Sequence, residues 1–96
     1  MPTSYERGKS AEYRVKGMLE ERVYLVLRSA ASYSPIDLFA AKGGERLVVQ
    51  VKVSGRLSKE GRGELLRWAQ EFGAKPNLAR RSRGRWVLEV VCTSST

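Results

Sequence analysis

The segment LVVQVKV, residues 47–53, constrains the fold more than any other part of the chain. It is dominated by apolar, mostly β-branched side chains, which is the pattern of a buried strand. A second such segment covers residues 36–41, and the KGGE between the two is typical of a tight hairpin turn. The centre of the chain should therefore be an antiparallel hairpin. Two polar residues interrupt its second strand, Gln50 and Lys52, and they project to the same face.

The remaining hydrophobic periodicity predicts the order αβββαββ. Helices are expected over residues 4–21 and 64–72, the second ending at Gly73, and further strands over residues 23–29, 77–81 and 85–91. Residues 54–63 are basic and glycine-rich and predict a mobile loop. Ninety-six residues allow one domain, here residues 1–91, with residues 92–96 as a frayed tail. The fold class is α/β (α+β), with a central mixed β-sheet flanked by helices.

The composition narrows the function. Eighteen Lys and Arg against ten Asp and Glu give a formal charge of +8 without any His, which favours a polyanionic partner, usually nucleic acid. The other interpretation is a ribosome-associated or merely basic surface. Because Cys92 is the only cysteine, no intramolecular disulfide or cysteine-based zinc site can form. Catalysis must then use carboxylates, lysine, serine or a hard metal bound by oxygen. With neither a signal peptide nor a membrane-spanning run, we expect a cytoplasmic protein that does not bind membranes.

The polar residues of the central hairpin converge on one small area. A two-residue turn at Gly43 and Gly44 places Asp37 directly opposite Gln50. Directly paired residues in an antiparallel ladder have Cβ atoms roughly 4.5–5.5 Å apart. Lys52 lies two residues beyond Gln50 and therefore projects to the same face.

Glu12 adds a carboxylate from the first helix. It falls on the same row as Val15 and Leu19, which should face the core, and a carboxylate there needs a positive or hydrogen-bonding partner. Two oxygen ligands beside a lysine, with this carboxylate nearby, suit Mg²⁺ and a water nucleophile.

Each of these residues also has a purely structural interpretation. Asp37 could be a turn residue after Pro35, and the polar pair of the strand could lie on a solvated face. The helix carboxylate could be a salt-bridge partner of Lys9 or Lys16. All of these alternatives would have to hold at once for the metal site to be absent.

The order of these residues resembles the PD-(D/E)XK nuclease signature, and most of all that of the archaeal-type Holliday junction resolvases. The resemblance is carried by Glu12, Arg28, Ser32, Pro35-Ile36-Asp37 and Gln50-Val51-Lys52. It spans nearly the whole chain, through RGKSAEYRV, LRSAASYSPIDLFA, LVVQVKV, LLRWAQEFGAKPNLA and RWVLEVV. It implies a single nuclease domain with a restriction-endonuclease-like αβββαβ(β) order. It also implies a homodimeric, Mg²⁺-dependent endonuclease, with Mn²⁺ as a substitute, that cuts four-way DNA junctions by paired nicks.

The resemblance also implies roles for individual residues. The metal would be held by Asp37, by Glu12 directly or through water, by the side-chain oxygen of Gln50 and by the carbonyl of Val51. Lys52 would orient or help deprotonate the attacking water and offset charge on the phosphate.

Three further roles come from the same resemblance. The loop that carries Ser32 would approach the scissile phosphate, and Arg28 would grip phosphate at the edge of the site. The dimer would form through an aromatic surface on the second helix, at Leu65, Trp68 and Phe72. The alternative for this aromatic pair is ordinary packing within one chain.

The sequence departs from the resolvase pattern at two positions. Gln50 stands where the resolvases usually have Glu, so one negative charge is missing and Mg²⁺ should bind more weakly, although Mrr-like restriction nucleases also show a QxK version. Tyr13 follows Glu12 where the resolvases often have Arg, so one phosphate grip is missing or moved to Arg14.

Positive charge around the site must offset the repulsion between its carboxylates and DNA. The candidate DNA-binding residues are Arg7, Lys9, Arg14, Arg28, Arg56, Lys59, Arg62, Arg80, Arg81, Arg83 and Arg85. Some of them could be only solvated surface. They form no sequence-reading motif, which favours recognition of DNA shape, and a two-fold dimer would match the symmetry of a four-way junction. We expect no small-molecule substrate. Two other functions remain open. One is a related nuclease acting on flaps, nicks or restriction-type sites, and the other is a catalytically silent DNA-structure-binding protein.

Overall fold

The computed structural model describes residues 4–29 and 34–91, with side chains from residue 9 onward. Its elements follow the predicted αβββαββ order. They are α1 Ser4–Glu21, β1 Leu25–Arg28, β2 Leu38–Lys42, β3 Glu45–Lys52, α2 Lys59–Phe72, β4 Lys75–Ser82 and β5 Arg85–Val90. In the part of the chain that is described, no helix is long and apolar enough to cross a membrane.

The strands form a five-stranded mixed sheet in which spatial order equals chain order, β1-β2-β3-β4-β5. β3 and β4 are parallel and are joined through α2, while the other neighbouring pairs are antiparallel. The predicted hairpin register is confirmed, because Lys42 pairs with Glu45 and Leu38 with Val49. The turn residues Gly43 and Gly44 both have positive φ, 53° and 85°, as a tight turn between twisted strands requires.

A hydrophobic layer covers each face of the sheet. On one face, Val15 and Leu19 of α1 pack against Leu38 and Val49. On the other face, α2 covers Val48 and its neighbours. Because β3 lies between both layers, its residues 47–49 are all buried, which explains the continuous apolar run.

The starts of three strands differ from the prediction. β2 begins at Leu38 rather than residue 36. β1 begins at Leu25 rather than residue 23, because Arg22 and Val23 form a turn in which Val23 has a φ of 70°. The β-branched character of VYLVL reads as strand throughout and does not reveal this turn. β4 begins at Lys75, two residues before the predicted strand.

The predicted mobile loop is wrong for residues 59–63, which form the first turns of α2. The cause is Ser58, whose hydroxyl caps the helix by accepting a hydrogen bond of 3.0 Å from the Gly61 N–H. The other end of α2 is as predicted. Gly73 adopts a left-handed φ of 61°, and the Ala74 N–H returns to the Ala69 carbonyl at 2.9 Å.

Candidate active site

The candidate site residues lie together at one edge of the sheet, which is formed by the ends of strands and not by an outermost strand. β1 ends at Arg28, β2 starts just after Asp37, and β3 ends at Lys52. Because neighbouring strands in this group are antiparallel, the end of β1, the start of β2 and the end of β3 lie at the same edge. The topology thus brings together residues that are far apart in the sequence.

Asp37 is fixed at this edge by three bonds to the backbone of its neighbours. Its N–H donates to the Val49 carbonyl at 2.9 Å, and its carbonyl accepts from the Ser29 N–H at 2.8 Å. Its carboxylate oxygen Oδ2 accepts from the Val51 N–H, also at 2.8 Å. The side chain is therefore turned toward β3, as the hairpin register predicted, and does not act as a simple turn residue after Pro35.

Glu12 reaches the same area from α1. Its Oε1 lies 3.2 Å from Nη1 of Arg28, and the two side chains are only 19% and 22% exposed. The alternative partner Lys16 is engaged with Glu20 instead, at 2.7 Å. Glu12 lies at the flank of the buried stripe, beside Ala11, and not in its centre.

The environment of the two carboxylates raises the pKa of each. Burial and the charge of Asp37 raise the pKa of Glu12, and Arg28 opposes that rise. Burial likewise raises the pKa of Asp37, against the hydrogen bond from Val51 and the positive charges of Lys52 and Arg28. Two partly desolvated acids, one of which disfavours the ionisation of the other, make a position where a cation would be stabilised.

Gln50 supplies an unsatisfied acceptor. Its Oε1 is buried and has no hydrogen-bond partner among the described residues. A buried acceptor left unpaired costs about 1–3 kcal/mol, so this atom is available to a ligand or to a further hydrogen-bond donor. Alternation along β3 places Lys52 on the same face as Gln50.

The donor set fits a hard metal ion through oxygen. Within residues 4–29 and 34–91, no three His, Cys, Asp or Glu side chains come together to hold a metal ion. A third oxygen donor beside Glu12 and Asp37 would therefore have to be an amide or carbonyl oxygen, such as that of Gln50. Carboxylate and amide oxygens are ligands that Mg²⁺ accepts. Ser32 lies outside the described residues, so its predicted place near the site remains a prediction.

Basic residues follow the same edge. β4 runs parallel to β3 and continues two residues past the pair Lys52–Arg80, so the turn that carries Arg83 projects beyond the end of β3. The loop after β3 leads to Lys59 and Arg62 in the first turns of α2. Some basic residues already have partners, since Arg80 lies 3.5 Å from Glu89, and Arg81 lies 5.9 Å from the ring centroid of Trp86. The side chain of Arg7 is outside the described residues.

The predicted dimer surface needs one correction. Leu65 is fully buried beneath α2, so it packs within its own chain and is not available to a partner. Trp68 stacks on Phe72 with ring centroids 6.1 Å apart, and Phe72 meets Phe39 at 5.5 Å while remaining 49% exposed.

The structure shows a second group of exposed apolar residues that the sequence analysis did not assign to any surface. Leu25 and Leu27 are 81% and 72% exposed, on the face of β1 that faces away from α1. α2 packs on β3 and β4 and leaves this part of the sheet uncovered. A groove of about 490 Å³ runs along it, lined by Leu25, Leu27, Phe39 and Phe72 among others. The alternation of Leu25 and Leu27 was visible in the sequence, but it does not say which face a helix covers.

Comparison with known proteins gives consistent results. A family model described as archaeal Holliday junction resolvase (Hjc) matches residues 3–94. The crossover junction endodeoxyribonuclease Hjc of Methanocaldococcus jannaschii is 35% identical over 92 residues, which cover 92% of this chain and 68% of that protein. The structure of Archaeoglobus fulgidus Hjc, a Holliday junction resolvase, matches with a TM-score of 0.77 and 26% identity. That match covers 88% of this chain and 73% of the other.

The fold, the acidic edge of the sheet and these similarities define the protein as an endodeoxyribonuclease. Nucleases of this kind are generally metal-dependent and act on branched DNA. More particularly, the chain belongs to the archaeal Holliday junction resolvase family.

Proposed function

We propose that the protein resolves four-way DNA junctions as a homodimer, making paired nicks with Mg²⁺, for which Mn²⁺ can substitute. The observation that carries the proposal is the buried Oε1 of Gln50, which has no hydrogen-bond partner among the described residues. Gln50 directly precedes Val51 in β3, and the Val51 N–H donates to the carboxylate of Asp37. This arrangement provides an oxygen-lined position next to a lysine, at an edge with surrounding positive charge.

Each residue of the site has a distinct task. Glu12, Asp37, the Gln50 Oε1 and the Val51 carbonyl would hold the metal. When bound, Mg²⁺ would supply polarisation of the phosphate and activation of water. Lys52 orients the attacking water and offsets the negative charge that develops on the phosphate.

The edge of the site provides contacts to the DNA backbone. Arg28 would grip phosphate beside Glu12, and Ser32, which lies outside the described residues, would act near the scissile bond. The wider basic set binds flanking phosphates, which supports affinity and recognition of shape without base contacts. That set comprises Arg7, Lys9, Arg14, Arg56, Lys59, Arg62, Arg80, Arg81, Arg83 and Arg85.

Gln50→Glu should lower the Mg²⁺ concentration needed for half-maximal cutting by about tenfold, which corresponds to roughly 1.4 kcal/mol of metal binding. The added carboxylate restores a negative charge opposite Asp37 and strengthens attraction for a divalent cation. The measurement is a Mg²⁺ titration of the cutting rate on a labelled junction.

Two further variants are titrated with Mg²⁺ in the same way. Gln50→Met removes the oxygen donor at similar volume and should raise the Mg²⁺ requirement. Gln70→Glu adds the same charge on the exposed side of α2, away from the site, and should leave it unchanged. An unchanged requirement in both Gln50 variants would show that Gln50 is not a ligand.

We assign the dimer interface to the uncovered apolar face that includes Leu25, Leu27, Phe39 and Phe72. Exposed leucines of this kind are unusual on a monomer surface when they adjoin aromatic residues in one continuous patch. Burial of this face would remove the patch from water and place two active sites in one particle, as paired nicks require.

Leu27→Asp should convert the dimer to a monomer, because a carboxylate would be buried without a partner in the interface. Sedimentation velocity measures the change. Val90→Asp is the matched control. Val90 is 57% exposed on β5, the outermost strand on the other side of the sheet from β1. A dimer that survives Leu27→Asp would place the interface elsewhere.

One assay separates the competing functions. Labelled four-way junction, flap and linear duplex are incubated with the protein and Mg²⁺. Paired nicks confined to the junction support the proposal, whereas preferential cutting of flap or duplex supports a related nuclease. Tight junction binding without cuts supports a catalytically silent DNA-structure-binding protein. The observation that favours this alternative is the negative charge missing at Gln50.

A further inference from the structure

Two consecutive residues of α1 contact the guanidinium of Arg28. Its Nη1 lies 3.2 Å from Oε1 of Glu12, and its Cζ lies 5.0 Å from the ring centroid of Tyr13. The nearby guanidinium of Arg28 also lowers the pKa of the Tyr13 hydroxyl, through its hydrogen-bonding N–H groups and its positive charge. Arg28 is thus held both by the candidate catalytic carboxylate and by an aromatic side chain to which no role has been given.

We propose that Tyr13 is a positioning residue that fixes Arg28 against Glu12 at the edge of the active site. The inference rests on the proposed function and adds a residue to it. Because the contact of Tyr13 is with the Arg28 guanidinium, its effect on the reaction is transmitted through Arg28.

The physical basis is the flexibility of arginine. Arg28 sits at the last position of β1, where the strand ends, and its side chain has several rotatable bonds. An ion pair to a single carboxylate oxygen fixes one end of the guanidinium but not its plane. The planar guanidinium stacks favourably on an aromatic face, and this second contact fixes the plane as well.

The position of Arg28 matters because its charge acts on both acids of the site. Arg28 opposes the unfavourable interaction between Glu12 and Asp37. A displaced Arg28 would leave Glu12 without its ion-pair partner and would weaken the grip on phosphate. Loss of Tyr13 should therefore slow the reaction of bound DNA more than it weakens DNA binding.

The chain offers a matched control at the other end of the sheet. Tyr24 also lies next to a cation, with Nζ of Lys42 at 4.5 Å from its ring centroid, and its hydroxyl donates to Glu45 at 2.6 Å. It combines the same kinds of contact with no relation to the active site. Tyr24 also lines the apolar groove, so the comparison uses Tyr24→Ala protein that sediments as the wild type does. That protein should show neither a changed cutting rate nor a changed environment of Arg28.

The experiment compares Tyr13→Ala, Tyr13→Phe and Tyr24→Ala. In single-turnover assays at saturating junction, Tyr13→Ala should cut about 10- to 30-fold more slowly, as expected for loss of an orienting partner, with junction affinity within about twofold. Tyr13→Phe retains the ring and should restore most of the rate. In metal-free protein without DNA, the side-chain NMR signals of Arg28 should lose their ring-current shift in Tyr13→Ala and keep it in Tyr13→Phe. An Arg28→Lys variant assigns these signals.

Several results would overturn the inference. These are a wild-type rate in Tyr13→Ala, an unchanged Arg28 signal in that variant, or an equal loss of rate in Tyr24→Ala. Failure of the proposed function is recognised separately, because the wild-type protein would then leave the junction uncut. The NMR comparison would in that case still decide whether Tyr13 positions Arg28.

Discussion

Asp37→Asn should reduce the rate of junction cutting by about 10³-fold or more, because a lost metal ligand costs several kcal/mol of transition-state stabilisation. Junction binding should stay within about twofold of wild type, since affinity comes from the basic residues around the site. Cutting is measured on a labelled junction in Mg²⁺, and binding is measured on the same DNA in EDTA. Cutting at the wild-type rate would show that Asp37 is not part of the site.

The same substitution should leave the fold intact. The asparagine oxygen can still accept the hydrogen bond from the Val51 N–H that Oδ2 accepts in the wild type. Because burial raises the pKa of Asp37 in the folded protein, protonation of this group stabilises the metal-free fold below that pKa, and the stabilisation is lost as the pH rises through it. The asparagine variant lacks this dependence. In EDTA, acidification from neutral pH should therefore increase the unfolding free energy of the wild type relative to Asp37→Asn.

Lys52→Ala should also reduce cutting by about 10²–10³-fold, the loss typical when one group that stabilises transition-state charge is removed. Lys52 shares a face with Gln50 at the end of β3, and its positive charge acts on Asp37. The effect should appear in the rate at saturating junction and Mg²⁺, where weaker binding of either cannot explain it.

Two further variants make the test of Lys52 sharper. Lys75→Ala removes the same charge from an exposed position at the opposite end of the sheet and should cut normally. Lys52→Arg retains the charge but changes its shape and reach, so it should restore the rate only in part. A Lys52→Ala protein as active as Lys75→Ala would exclude Lys52 from the reaction.

The hairpin shows why much of the site could be predicted from the sequence. Two glycines in the turn fix the register, and the register fixes which residues lie opposite each other, so Asp37 could be placed next to β3 from local geometry. The bond from the Val51 N–H to the Asp37 carboxylate could not be foreseen, because there the regular ladder has already ended and a side chain takes its place.

Other features depend on how the layers pack, which a single sequence does not specify. Arg28 as the partner of Glu12 depends on the path of α1 across the sheet. Leu65 was wrongly assigned to the dimer surface, because an apolar stripe on a helix identifies a packing face and not its partner. Leu25 was missed for the reverse reason, since alternating apolar residues in a strand do not show that α2 leaves that face uncovered.

The bonds that hold Asp37 have a thermodynamic consequence. Its N–H, its carbonyl and its carboxylate are each tied to a different residue, at Val49, Ser29 and Val51, across two neighbouring strands. The conformational entropy of this side chain is therefore lost during folding and not when a cation arrives. A ligand that is ordered in advance increases affinity without adding charge. In the proposed metal site, this property would partly offset the negative charge that glutamine at position 50 lacks.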